Sequence, residues 1–304
     1  MTSRSTARLA LWVAMAAAAA PASAQMAHGP LVEAGWLERH LDHENVVVLH
    51  ADMRRSGYDD GHVPGARFLD MTRIVWDGEP AWGNEMRSPA EIEVALEELG
   101  VQDGLHHVVL YADNPLFASR AFMTLEVLGF KGRVHVLDGG WSGWVDDGRP
   151  VSTEAPAIEM GDLTIDVDDD ILVSADWIHE RLGDATVALI DARPDDEYTG
   201  EDGGMGGMAN PGHIPGAHQM YWEELIESRE DPITLEREAL QSLFAEAGAD
   251  EGDTVVAYCM VGWRASYNYL VSRMLGYETK FYDGSWHDWG TRDDLPTVTG
   301  RSPG

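Results

Sequence analysis

Short apolar runs rich in β-branched residues recur along this chain, each followed by a longer segment whose apolar positions return every three or four residues. Residues 46–49, 108–111 and 134–137 in the first half, and 187–190, 255–258 and 280–282 in the second, are predicted strands. Residues 89–99, 120–128, 235–247 and 265–275 carry the helical period. Strands alternating with helices predict an α/β fold, a mostly parallel sheet with helices on both faces. Ligands of such sheets bind beyond the carboxyl ends of the strands.

The pattern is written twice, and blocks of residues repeat in the same order. Asp52-Met-Arg-Arg-Ser-Gly-Tyr58 resembles Asp191-Ala-Arg-Pro-Asp-Asp-Glu-Tyr198, and Gly61-His-Val-Pro-Gly-Ala66 resembles Gly212-His-Ile-Pro-Gly-Ala217. Val108-Val-Leu-Tyr111 resembles Val255-Val-Ala-Tyr258, and Tyr111 stands as far from Gly129 as Tyr258 does from Gly276. Asp138-Gly-Gly-Trp141 with Trp144 matches Asp283-Gly-Ser-Trp286 with Trp289. Two tandem domains are therefore expected, at 25–150 and 171–304. Residues 151–170, with their prolines and the acidic run Asp166-Val-Asp-Asp-Asp170, read as a linker.

Residues 1–24 read as a secretory signal, with Arg4 and Arg8 before an apolar stretch and Ala22-Ser23-Ala24 as a small-residue cleavage site. The apolar stretch is too short to span a bilayer. The expected mature chain has 304 − 24 = 280 residues, is exported to the periplasm or beyond, and keeps no membrane segment. A single cysteine excludes an internal disulfide, so ordinary cores must hold the fold. The formal charge of −32 becomes −34 once Arg4 and Arg8 are removed, which leaves no basic footprint for nucleic acid or anionic lipid. A small anionic substrate would need a local cationic pocket to approach such a surface.

The one thiol, Cys259, follows the strand at 255–258 and precedes the helix at 265–275. Backbone N–H groups and the positive end of a helix dipole stabilise an anion formed on sulfur there. A buried structural cysteine is the plain alternative. Aligning the two copies puts Ala112 opposite Cys259, so only the second domain carries the nucleophile.

The paired Asp-x-Arg and Gly-His-(Val/Ile)-Pro-Gly-Ala motifs, the Cys259–Arg264 loop and the Asp-Gly-x-Trp motifs resemble tandem-domain rhodaneses. These form the thiosulfate and 3-mercaptopyruvate sulfurtransferase family, and the resemblance covers nearly the whole mature chain. It implies a silent first domain and a catalytic second one. A small anionic sulfur donor would leave a persulfide on Cys259, and a thiophilic acceptor such as cyanide or a thiol would remove it, with no other cofactor. Met260, Val261, Gly262, Trp263 and Arg264 are then expected to curl their N–H groups around the sulfur, with Gly262 allowing the turn. Arg193 and Arg264 are expected at the donor's anionic end, where guanidinium forks suit sulfonate or carboxylate oxygens. For Arg193 the competing role is an ion pair with Asp195, Asp196 or Glu197.

Met260 departs from the resemblance, because thiosulfate-type loops often carry a basic residue there and mercaptopyruvate-type loops a glycine. Thiosulfate is the expected donor and 3-mercaptopyruvate the alternative. Cysteine phosphatases share the fold family but cradle phosphate with Cys-x5-Arg, whereas Cys259 to Arg264 is Cys-x4-Arg. A non-catalytic sulfur carrier is the reading from another class. The insertion at 199–211, rich in Gly and Met, reads as a flexible loop, with a lid over Cys259 or a Met-lined contact for a protein acceptor as the sharper readings. His62 and His213 are expected to make structural hydrogen bonds, Asp52 and Asp191 to fix loops, and Trp141, Trp144, Trp286 and Trp289 to fill cores. His28, His40, His43, His106 and His107 show no ligand spacing, so no metal is expected, and the chain is expected to act as a monomer.

Overall fold

A computed structural model describes residues 29–75, 85–104, 107–202 and 210–304. The predicted signal at 1–24 lies outside these residues, as does the middle of the 199–211 insertion. In the first half the order is β1 (Leu31–Val32), α1 (Ala34–His40), β2 (Val46–Asp52), α2 (Ser56–Asp60), β3 (Arg67–Asp70), α3 (Pro89–Glu98), β4 (His107–Tyr111), α4 (Pro115–Leu125), β5 (Val134–Leu137) and α5 (Gly140–Asp146). The second half runs α6 (Ala175–His179), β6 (Val187–Asp191), α7 (Asp195–Thr199), β7 (His218–Gln219), α8 (Arg237–Glu246), β8 (Thr254–Tyr258), α9 (Ala265–Leu275), β9 (Glu278–Phe281) and α10 (Ser285–Thr291).

The sheets are ordered β1-β5-β4-β2-β3 and β7-β6-β8-β9, and every strand pair in them is parallel. The predicted strands lie in these sheets within three residues of their expected bounds. The short edge strands β1, β3 and β7 were not expected, since two to four residues carry too little pattern to stand out. Helix α4 begins at Pro115 rather than near 120, because Asn114 caps it by accepting from the Leu116 N–H and proline suits the first turn.

The repeat extends to individual hydrogen bonds. Tyr58 donates its hydroxyl to the Ala66 carbonyl at 2.8 Å, as Tyr198 does to Ala217 at 2.7 Å. The Val63 N–H meets the Tyr111 hydroxyl, and the Ile214 N–H meets that of Tyr258. His62 stacks on Tyr58 and faces the carbonyls of Tyr58 and Glu154, while His213 stacks on Tyr198 and faces those of Tyr198 and Ser302. Both histidines thus hold the turn in place, and burial pushes the His213 imidazole below its ordinary value. Trp144 and Trp289 each donate an indole N–H to a proline carbonyl, of Pro150 and Pro296. Trp144, Trp286 and Trp289 are buried, and Trp141 is partly so.

One apolar core runs through both halves, joining Phe122, Leu125 and Val136 of the first to Cys259, Tyr269 and Phe281 of the second. Smaller cores lie under the outer face of each sheet. Helices α4 and α9 form the seam. There the Ser119 and Ser266 hydroxyls meet at 2.9 Å, and Glu126 accepts from the Tyr269 hydroxyl and from Arg273, each at 2.8 Å. The linker region is strapped to α3 rather than loose. Gly161 donates its N–H to the Glu97 carbonyl, Leu163 to the Glu97 carboxylate and Ile165 to Glu93.

Candidate active site

β8 is an interior strand, and Cys259 is the first residue beyond its carboxyl end. The thiol is 1% exposed. Its backbone is fixed on both sides, since its N–H donates to Ser285 Oγ at 3.3 Å and its carbonyl accepts from the Trp286 N–H at 2.9 Å. The Met260 carbonyl likewise accepts from the His287 N–H at 3.0 Å. Ser285 has a φ of 52°, in the left-handed region that favours glycine, and its first-domain counterpart is Gly140 with a φ of 54°. The second domain therefore tolerates a strained serine where it gains a hydroxyl next to the nucleophile.

From Cys259 the chain turns through Gly262, whose φ is 86°, into α9. The amides of Met260, Val261, Gly262, Trp263 and Arg264 meet no acceptor among the described residues. Consecutive unfilled amides beside a positive φ form a nest suited to an anion. Gly262 is also confined, because a Cβ there would lie 2.9 Å from Arg120 Nη1 and 3.1 Å from Asp283 Oδ1. Those two side chains form a buried ion pair at 2.6 Å. Arg120 belongs to the first domain, and so does Met86, whose N–H donates to Asp283 Oδ2 at 2.8 Å. The first domain thus walls the loop that carries the thiol.

Both arginines expected at the donor are held by carboxylates. Arg193 is 1% exposed, forks onto Asp191 through Nε at 2.9 Å and Nη2 at 2.6 Å, and donates Nη2 to the Gly212 carbonyl. Its guanidinium lies 4.6 Å from the Trp286 ring. Arg193 ties the β6 end to the Gly212 turn, and its ion-pair partner is Asp191 rather than Asp195, Asp196 or Glu197. Asp191 also accepts the Arg193 N–H at 3.0 Å, which fixes the loop after the strand as expected. Arg264 donates to both oxygens of Glu197, at 2.9 and 2.7 Å, and is 19% exposed along its side chain. Burial pulls its pKa down, yet the Glu197 bonds and the charges of Cys259 and Asp191 hold it above the ordinary arginine value.

Met260 is 1% exposed and packs in the outer core of the second domain with Ile214 and Tyr258. Val261 lies in the same core, and Trp263 packs across to Phe117 of the first domain at 5.3 Å between rings. The loop residues contribute amides rather than side chains. Sequence reasoning missed Ser285, Asp283 and Arg120 as parts of the site; the Gly-to-Ser change between the repeated motifs was the one available signal.

The first domain lacks this loop. Ala112 accepts from the Trp141 N–H at 3.0 Å, as Cys259 does from Trp286, which confirms the two positions as equivalents. Three residues on, Pro115 already starts α4 in the place of Gly262, so the first helical turn replaces the nest.

A family model described as "Rhodanese-like domain" matches residues 33–147 and 174–292. The chain belongs to the rhodanese family. Among curated rhodanese relatives, the sulfur carrier protein TtuD of Thermus thermophilus is 33% identical over 89% of this chain and 96% of its own length. The thiosulfate sulfurtransferase of Azotobacter vinelandii is 35% identical over 88% and 96%. The 3-mercaptopyruvate sulfurtransferase of Escherichia coli K12 is 30% identical over 87% and 96%. A solved structure of an EanB variant with a cysteine persulfide, in a tetrahedral intermediate state with ergothioneine, superposes with a TM-score of 0.79 at 26% identity, covering 89% of this chain and 70% of that one. This rhodanese is accordingly a sulfurtransferase by family, with two rhodanese domains. No helix among its described residues is long and apolar enough to cross a membrane.

Proposed function

We propose that this rhodanese moves sulfane sulfur from thiosulfate to cyanide or a thiol through a persulfide on Cys259. The Cys259 thiolate attacks the outer sulfur of thiosulfate, the donor's S–S bond breaks, and sulfite leaves with the bonding pair. The acceptor then attacks the terminal sulfur of the persulfide, takes it, and frees the thiolate. The observation that carries this reading is the run of amides from Met260 to Arg264 that meets no described acceptor and follows the only thiol. Such a nest suits the terminal sulfur of a persulfide anion and the oxygens of a compact dianion. Arg264 lies beside it with its charge offset by Glu197, so the amides do more of the anion binding than side chains do.

The first domain is silent in this scheme and serves as a wall, through Arg120, Met86 and Phe117. The chain works as a monomer, exported after cleavage near Ala24, and needs no cofactor beyond the covalent persulfide. Amino-terminal sequencing of the secreted fraction and sedimentation of the purified chain test those statements.

Steady-state kinetics with thiosulfate and 3-mercaptopyruvate side by side is the decisive experiment. Higher kcat/KM for thiosulfate is expected, and the reverse order would replace it with the mercaptopyruvate reading. A relative named as a sulfur carrier favours a second reading, in which the persulfide is handed to a protein without turnover on small acceptors. Multiple-turnover thiocyanate formation would rule that reading out.

A further inference from the structure

The first domain's counterpart of the active site is not simply blank. His50, near the end of β2, is completely buried, and neither ring nitrogen has a hydrogen-bond partner among the described residues. Tyr58, Phe68 and Tyr111 surround its ring at 4.7–6.3 Å between centroids. The two tyrosine hydroxyls are engaged elsewhere, with Ala66 and Val63. Nε2 points instead at the Asp113 carboxylate, 3.6 Å away, and Asp52 completes a group whose ligand atoms all lie within 4.8 Å of one another. Buried imidazole nitrogens ordinarily find partners, so a fully buried ring with neither satisfied calls for an explanation.

Asp52 is the counterpart of Asp191, but His50 and Asp113 have no equivalent in the catalytic arrangement. Leu189 holds the place of His50 in the second domain, and Met260 that of Asp113. Glu197 is replaced by Gly57, and a Cβ at Gly57 would come within 3.1 Å of Asp113 Oδ2. Losing that side chain gives the Asp113 carboxylate room beside His50. All three groups stand at the carboxyl ends of the adjacent parallel strands β2 and β4, where such sheets bind ligands.

We propose that His50, Asp52 and Asp113 bind a divalent transition-metal ion in the first domain. One neutral imidazole and two carboxylates balance a dication and suit zinc, with water in the remaining position. Zinc bonds of about 2.1 Å would draw the ligand atoms to roughly 3.4 Å apart. Asp113, 46% exposed along its side chain, is free to make that movement. The Arg54 N–H already holds Asp52 Oδ1 at 3.0 Å and leaves Oδ2 for the metal, an outer bond of the kind that orients ligands. Arg55, the nearby cation over the Tyr58 ring, is paired with Asp59 at 3.0 Å. The site stands apart from Cys259 and does not depend on the sulfur-transfer reading, though it runs against the sequence expectation of no metal.

Chelator-stripped full-length protein titrated with zinc chloride in a calorimeter should show one site, and cobalt should give d–d absorption without a thiolate-to-cobalt charge-transfer band. His50→Ala and Asp113→Asn should each weaken zinc binding by about a hundredfold, at least what losing an outer-shell partner costs a metal site. Asp113→Asn alters a half-exposed side chain, so it keeps the fold even if His50→Ala does not. Sulfur-transfer rates should be unchanged in Asp113→Asn. No binding by the wild type up to about 1 mM, weaker than the weakest sites proteins use for metal sensing, would overturn the proposal. So would undiminished binding by Asp113→Asn, or a charge-transfer band that places the metal on Cys259.

Discussion

Arg264 and Glu197 meet fork to fork, Nη1 to Oε1 at 2.9 Å and Nη2 to Oε2 at 2.7 Å, at the edge of the loop that carries the thiol. The guanidinium that closes the loop thus arrives with its own counter-ion, and removing either partner leaves the other charge partly buried. Arg264→Ala should lower kcat/KM for thiosulfate more than tenfold, since it strands the Glu197 carboxylate beside an anionic donor and nucleophile. Glu197→Gln keeps one acceptor and should lose less, about three- to tenfold, on the scale of about 1 kcal/mol for a weakened hydrogen bond. Equal kinetics for wild type and Arg264→Ala would show that the pair is remote from the chemistry.

Cys259→Ser should abolish transfer with the fold intact, because a hydroxyl forms no persulfide. Intact-mass measurement after thiosulfate treatment should find one added sulfur on the wild type and none on the variant. Sulfur on both would place the carrier atom elsewhere.

Ala112→Cys should not rescue Cys259→Ser. The new thiol would face the first turn of α4, where Pro115 has no N–H to offer and the Leu116 and Phe117 amides are already taken by Asn114. Thiocyanate formation near the wild-type rate in the double variant would refute the account of the silent domain.

Gly262→Ala combines a φ of 86° with a Cβ 2.9 Å from Arg120 Nη1. The left-handed backbone alone costs a non-glycine residue about 1–2 kcal/mol, and displacing Arg120 disturbs its pair with Asp283. A lower urea midpoint and a larger loss in kcat/KM than in stability are expected; unchanged activity would mean that the loop geometry is not critical.

Asp138 spans the seam, with Oδ1 accepting from Thr234 N–H at 2.9 Å and Oγ1 at 2.8 Å. Burial holds its carboxyl above the usual aspartate value despite those bonds and that of Gly139, with Asp231 adding to the rise. The folded state therefore keeps this proton more tightly than the unfolded chain. Its stabilising share is complete below the unfolded value of about 4 and is lost as pH rises through the folded one. Asp138→Asn retains the acceptor and does not titrate, so its stability relative to wild type should climb between about pH 4 and pH 7. A flat or falling difference in urea unfolding would contradict the assignment.

The doubled α/β architecture and the place of Cys259 were legible in the sequence, because buried parallel strands write continuous apolar runs and the repeated motifs fix their order. The loop's turn at Gly262 was legible for the same reason, as a glycine between a strand end and a helix start. What the arginines do was not. Asp191 lies two residues from Arg193 and Glu197 far from Arg264, and no spacing rule says which carboxylate takes which guanidinium. That the Met260 side chain is buried was not legible either, because position in a loop does not tell whether a side chain faces solvent or core. The contributions of Arg120 and Met86 depend on how two domains dock, a long-range relation that local pattern does not record. His50 escaped notice because its partner Asp113 is distant in the chain.

The seam between α4 and α9 has a further consequence, in the order of events during synthesis. A chain grows from its amino end, so the first domain can fold while α9 does not yet exist. In that interval the face of the first domain that α9 will cover carries Phe122, but it also carries the polar side chains of Arg120 and Glu126. Such a face adheres to neighbouring molecules less readily than an apolar patch of the same size. When the second half arrives, Arg120 gains Asp283 while Glu126 gains Tyr269 and Arg273, and the water leaves. The seam is thus built partly from groups that water can hold until their partners are made.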